Sequence, residues 1–163
     1  MKKFTIPIVG AGIAALIGLI WSIPTENNIR AKIVKIALDE INDIKVSEYY
    51  ANTLSSKDLL TPPKDWCGIF ILWVLHKAGI AKNVKWKVGV GFIATENLIP
   101  TKTPKPGDIA YFTKNQHQAL VKSVNDDGTV TIINGNGMGG KITVSSPKIS
   151  DVATFYSIKK LMG

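Results

Sequence analysis

The chain of 163 residues has one cysteine and two histidines. A single thiol excludes an internal disulfide and any multi-cysteine zinc spacing. With no cluster of carboxylates beside the two histidines, a protein metal site has little to build on, and no cofactor is expected. Internal repeats and low-complexity tracts are missing too. There is no dense Arg/Lys block interleaved with aromatics, so the formal charge of +8 reads as a generic basic surface and nucleic acid is not an expected partner. Such a surface attracts anionic lipid or acidic wall polymers instead. With 45% hydrophobic and 20% charged residues the chain is globular rather than disordered, and its length supports one domain with a real core.

What is present begins with an apolar run. MKKF is followed by TIPIVGAGIAALIGLIWSI, so residues 5–23 carry no charge. As a helix this run would be roughly 28 Å long, close to the thickness of a bilayer core. Lys2 and Lys3 ahead of it favour a cytoplasmic N-terminus and a C-terminal domain on the extracytoplasmic side. No small-x-small cleavage site follows; WSIPTENN stands there instead. Residues 1–25 are therefore expected to be a single transmembrane anchor or uncleaved signal, and 26–163 the working domain.

In that domain Ile29, Ile33, Ile36, Ala37, Ile41 and Ile44 fall on one helical face, with Thr25, Asn27 or Asn28 able to cap it. Residues 45–64 are mixed and end in TPPKD. DWCGIFILWVLHKAGI then predicts a buried helix from about Trp66 to Ala78, stopped by Gly79. Residues 81–98 suggest a loop and a short helix through GFIATENL. From Pro104 the period switches to two: DIAYFT, QHQALVKSV, TVTIIN, KITVS and VATFYSIK read as strands, NDDG as a hairpin turn and GNGMGG as a loop. Helices followed by a meander of antiparallel strands give an α+β fold.

The one thiol, Cys67, falls in the first turn of its helix, where unpaired N–H groups and the helix dipole stabilise a thiolate. A thiolate nucleophile needs a base, and the base an orienting partner. His76 is nine residues along the same helix and too far up the axis, which leaves His117. If NDDG sets Val124 opposite Thr129, then His117 lies opposite Asn136 and Ala119 opposite Asn134, with both asparagines on the histidine's face. Either amide oxygen can hold the imidazole tautomer; turn chemistry alone would also account for NGNG.

WCGIF with HKAGI, then KPGDIAYF, HQALVKSV and IINGNG, resembles the ordered motifs of the CHAP and NlpC-like papain-fold peptidoglycan amidohydrolases, and most closely the phage-associated versions. The resemblance runs from about Ile29 to the C-terminus. It implies a papain-like domain in which Cys67 is the nucleophile, His117 the general base, Asn134 the third residue and Asn136 the asparagine two positions on. It implies an amidase or endopeptidase with peptidoglycan as substrate; with the expected anchor the enzyme sits at a membrane, and a phage virion fits equally, with envelope or virion proteins as neighbours. Two departures stand out. Asn134 replaces a frequent Glu and stabilises imidazolium less than a carboxylate would. HQALV replaces the commoner HVGIV, putting Gln118 and Ala119 where small apolar residues are usual. For the oxyanion, the Cys67 N–H needs a second donor, for which Lys64, Asp65, Tyr49 and Tyr50 are the nearby choices. Two other readings remain open: a degenerate scaffold used for binding or structure, and a cysteine peptidase or transferase acting on protein.

Overall fold

The computed structural model describes residues 25–88 and 97–163. The apolar run expected to be an anchor and most of the expected GFIATENL helix lie outside those residues. Among the described residues no helix is long and apolar enough to cross a membrane.

Among the described residues three α-helices precede a sheet. Helix α1, Glu26–Asp39, starts where the Thr25 hydroxyl accepts the Asn28 N–H at 3.3 Å. Of the expected stripe, Ile33 and Ala37 are fully buried, but the helix stops before Ile41, and Ile44 stands exposed. The chain turns there because Glu40 is buried and accepts the Tyr49 hydroxyl at 2.6 Å, which draws in a second helix. That helix, α2 (Val46–Thr53), lies in the stretch that reads as mixed. It buries only Tyr49 and Thr53, too short a stripe to show a period.

Helix α3, Cys67–Ala78, is the centre of the core. Ile69, Phe70, Ile71, Leu72, Val74 and Leu75 are all fully buried, each worth about 1.5–3 kcal/mol of transfer free energy. The helix ends at Gly79, whose φ of +93° puts it in the left-handed region and whose N–H bonds back to the carbonyls of Leu75 and His76. His76 is a bystander: its Nε2 meets the Val84 carbonyl oxygen at 2.8 Å and ties the helix end to the next loop.

The sheet has six antiparallel strands: β1 (Ile99–Thr101), β2 (Ile109–Phe112), β3 (His117–Val124), β4 (Val130–Gly137), β5 (Lys141–Ser145) and β6 (Thr154–Ser157). Their order across the sheet is β1-β6-β2-β3-β4-β5. It is not the simple meander expected, because β6 crosses back to pair with β2 and with the short strand β1, which the sequence reading lacks. One face, with Ile109, Leu120 and Ile133, packs on the helices; the other buries Ala119, Val121, Ile132 and Phe155 in a second cluster. The whole fits the expected papain-like α+β architecture.

Two sequence motifs acquire structural jobs. In KPGD, Gly107 adopts φ +85° and the Asp108 carboxylate is buried, accepting Arg30 Nη1 at 2.8 Å, the Ile158 N–H at 3.2 Å and the Lys105 N–H at 2.9 Å. That carboxylate pins α1 to the sheet. In NGNG, Gly135 lets β4 approach α3 so closely that a Cβ there would lie 2.6 Å from Phe70 Cβ. Asn136, at φ +53°, takes up a bulge between Asn134 and Gly137, so β4 runs on into the expected loop.

Candidate active site

Cys67 opens α3, and its N-cap, Trp66, provides no side-chain hydrogen bond. The first-turn N–H groups are thus left for other acceptors. The thiol is half-buried. Burial is the largest influence and pushes its pKa up, but hydrogen bonds from the His117 side chain and from the backbone N–H groups of Gln118 and Gly68, with the charge of His117, outweigh it. The net shift is below the ordinary cysteine value.

His117 is the first residue of β3 and its ring lies beside the thiol. Its Nε2 is 2.9 Å from Asn134 Oδ1. The far end of that amide decides the tautomer. Asn134 Nδ2 donates to the Thr143 carbonyl at 3.3 Å and to Ser145 Oγ at 3.0 Å. A carbonyl only accepts, so the nitrogen must face β5 and the oxygen must face the imidazole. Nε2 therefore carries the hydrogen, and Nδ1 is left for Cys67. Burial pushes the imidazole pKa down, yet the bonds to Cys67 and Asn134 more than reverse this, and it lies above the usual histidine value. Thiol lowered and imidazole raised, the pair leans toward thiolate–imidazolium.

Ala119 does lie opposite Asn134, as expected, but Val124 faces Val130 rather than Thr129. The turn is one residue longer than NDDG alone, and a bulge between Val121 and Ser123 restores the register before the site. The expected pairing of His117 with Asn136 does not form. Asn136 instead donates from Nδ2 to Asp65 Oδ1 at 3.3 Å, tying the end of β4 to the approach to Cys67. Of the two asparagines, only Asn134 holds the imidazole.

Two expected oxyanion donors are spent elsewhere. The Tyr49 hydroxyl is buried on Glu40, and the Tyr50 hydroxyl donates to the Pro63 carbonyl at 2.6 Å. Lys64 and Asp65 line a cleft of about 850 Å³ with Cys67, Gly68, His117 and Gln118. Sequence reasoning missed the Gln118 N–H, and also Thr143 and Ser145, the supports of Asn134. The alternation in KITVS places those two on one face of β5, but joining them to Asn134 requires the bulge at Asn136. Among the described residues no group of three or more His, Cys, Asp or Glu is gathered to hold a metal ion.

Residues 61–136 match the CHAP domain family. The segment starts just before Cys67 and ends at Asn136, so it contains Cys67, His117, Asn134 and Asn136. CHAP domains are generally cysteine-dependent hydrolases, and a match to this family in general suggests peptidoglycan hydrolysis. The match does not distinguish a phage-associated type. No curated protein and no solved structure matches the chain.

Proposed function

We propose that this protein is a peptidoglycan hydrolase, an amidase or endopeptidase, acting through Cys67, His117 and Asn134. The observation that carries the reading is the arrangement at the cleft wall: Cys67 and His117 line the same cleft, and His117 Nε2 lies 2.9 Å from Asn134 Oδ1. The Cys67 thiolate attacks a substrate amide carbonyl and forms a C–S bond, giving a tetrahedral oxyanion near the Cys67 N–H. The His117 imidazolium gives its proton to the leaving nitrogen; the C–N bond breaks and a thioester remains. Water then adds to the thioester while His117 takes its proton, and the thiolate leaves. Asn134, being neutral, acts by fixing the ring and tautomer.

The substrate class rests on the CHAP match together with Lys64 and Lys114 at the cleft, which suit an anionic wall polymer. An exported enzyme, anchored through residues 1–25 or carried on a virion, would meet that polymer directly. The test is mass spectrometry of fragments released from purified peptidoglycan by the wild type and by Cys67→Ala. New fragments from the wild type alone are expected, and their masses identify the bond. Equal release by both proteins would remove Cys67 from the mechanism.

The neutral third residue supports a second reading, a scaffold that binds without catalysis. In that case Cys67 would alkylate with iodoacetamide no faster than a free thiol at any pH. A rate that stays high well below the ordinary thiol pKa excludes it.

A further inference from the structure

Gln118 is the residue that made the HQALV pattern unusual, and the relay uses only its backbone N–H. Its side chain is 2% exposed, and Oε1 is one of two buried side-chain polar atoms without a hydrogen-bond partner among the described residues. Nε2 is not one of those buried atoms and donates to no described residue, so the nitrogen is the end of the amide that reaches the cleft. An unpaired buried amide of this kind costs about 1–3 kcal/mol, which an aliphatic side chain of the same size would avoid. Packing alone therefore gives no reason for glutamine here.

Its position gives one. A Cβ built on Gly68 would stand 3.0 Å from Gln118 Nε2 and 3.3 Å from Oε1. The amide thus occupies the space left by the missing side chain of Gly68, against the uncapped first turn of α3. Cys67, Gly68 and Gln118 line the same cleft. The attack on a carbonyl needs a second N–H donor beside that of Cys67, and the phenols of Tyr49 and Tyr50 are already committed.

We propose that the Gln118 side-chain amide is that donor: Nε2–H bonds the substrate carbonyl oxygen and tightens on it as it becomes an oxyanion. The proposal rests on the hydrolase reading above. It makes Gln118 a catalytic residue, with Gly68 providing its room. Trp86 Nε1, 3.3 Å from the same built Cβ, is the competing donor.

The test separates acyl chemistry from thiolate reactivity. Alkylation by iodoacetamide is a displacement at a saturated carbon and forms no oxyanion; acylation by p-nitrophenyl acetate and cleavage of peptidoglycan both do. Gln118→Leu is expected to lower kcat and the acylation rate roughly 100-fold while KM moves less than about two-fold. Its alkylation rate against pH should match the wild type, and its melting temperature should not fall. Gln118→Met, closer in shape, repeats the measurement should Leu disturb packing. Trp86→Phe should stay within about three-fold of the wild type. The proposal is overturned if Gln118→Leu and Gln118→Met acylate as fast as the wild type, if alkylation falls in step with acylation, or if Trp86→Phe carries the loss. Should the wild type release no peptidoglycan fragments, the hydrolase reading fails, and the acylation arm still decides Gln118.

Discussion

Two buried polar clusters flank the sheet, and they differ in what they leave unsatisfied. Around Asp108 both carboxylate oxygens are engaged, and Arg30, the single arginine of the chain, also bonds the Pro106 carbonyl at 2.8 Å and Glu26 at 2.9 Å. Arg30 and Asp108 are only 4% and 1% exposed. Around Cys67 the thiol is half-buried, the helix start has no side-chain cap, and the Gln118 amide is unpaired, all at the wall of an open cleft. A closed cluster has no bonding capacity left for an incoming molecule, so it can only hold the fold together. The open one retains donors and a polarised thiol, at a cost in stability, and that residual capacity is what a substrate can use.

The sharpest way to break this contrast is Asp108→Ala. Removing one member of a buried ion pair strands the other, so the midpoint of urea unfolding should fall by the equivalent of about 3–5 kcal/mol. Cys67→Ala, by comparison, should leave the midpoint nearly unchanged. Circular dichroism on both variants checks this. A loss under about 1 kcal/mol for Asp108→Ala would mean that Arg30 finds water and that the cluster is no staple.

The two clusters were also unequally legible in the sequence. Cys67 could be read because helix starts follow from local pattern and the chain has one thiol. His117 followed by elimination from two candidates. Asn134 required a strand register, and there two one-residue errors cancelled: the longer turn and the bulge near Lys122. Asn136, which the strand pattern sets opposite His117, turns instead toward Asp65 through its left-handed backbone, a property of φ that no strand pattern encodes. The Asp108 staple was invisible in advance, since Arg30 and Asp108 are 78 residues apart and each looks like a surface charge locally. Helix α2 and strand β1 escaped notice because each is too short to display a period.

The next effect in size belongs to Asn134→Ala, which opens the supported side of the site while leaving its thiol. Loss of the ring's anchor should reduce kcat roughly 10- to 100-fold. The pH dependence gives a sharper signature. In the wild type the acid limb follows a Cys67 pKa held below the ordinary thiol value, and the basic limb a His117 pKa held above the ordinary imidazole value. Without Asn134, burial of His117 is opposed by one hydrogen bond fewer, so its pKa falls and the imidazolium is lost at lower pH. The thiolate in turn loses part of its support and the Cys67 pKa rises. The pH–rate bell should therefore narrow from both sides. A uniform drop with unchanged limbs would show that Asn134 matters for packing alone.

Ser145→Ala should give the smallest effect, and it probes whether the support behind Asn134 is closed in the manner of Asp108. Asn134 Nδ2 has two acceptors on β5, and the Ser145 hydroxyl, at 3.0 Å, is the nearer. Its loss leaves the Thr143 carbonyl at 3.3 Å, enough to keep the nitrogen facing β5 and hence the oxygen facing His117. The expected cost is about 0.5–1.5 kcal/mol of stability, one neutral hydrogen bond. In kcat a loss of only about two- to five-fold is expected, since the amide's direction survives. A double-mutant cycle isolates the route. If Ser145 acts through the amide, Ser145→Ala should add nothing to kcat in an Asn134→Ala background. An undiminished loss in that background would place its influence elsewhere in the hollow that it lines with His117 and Asn134.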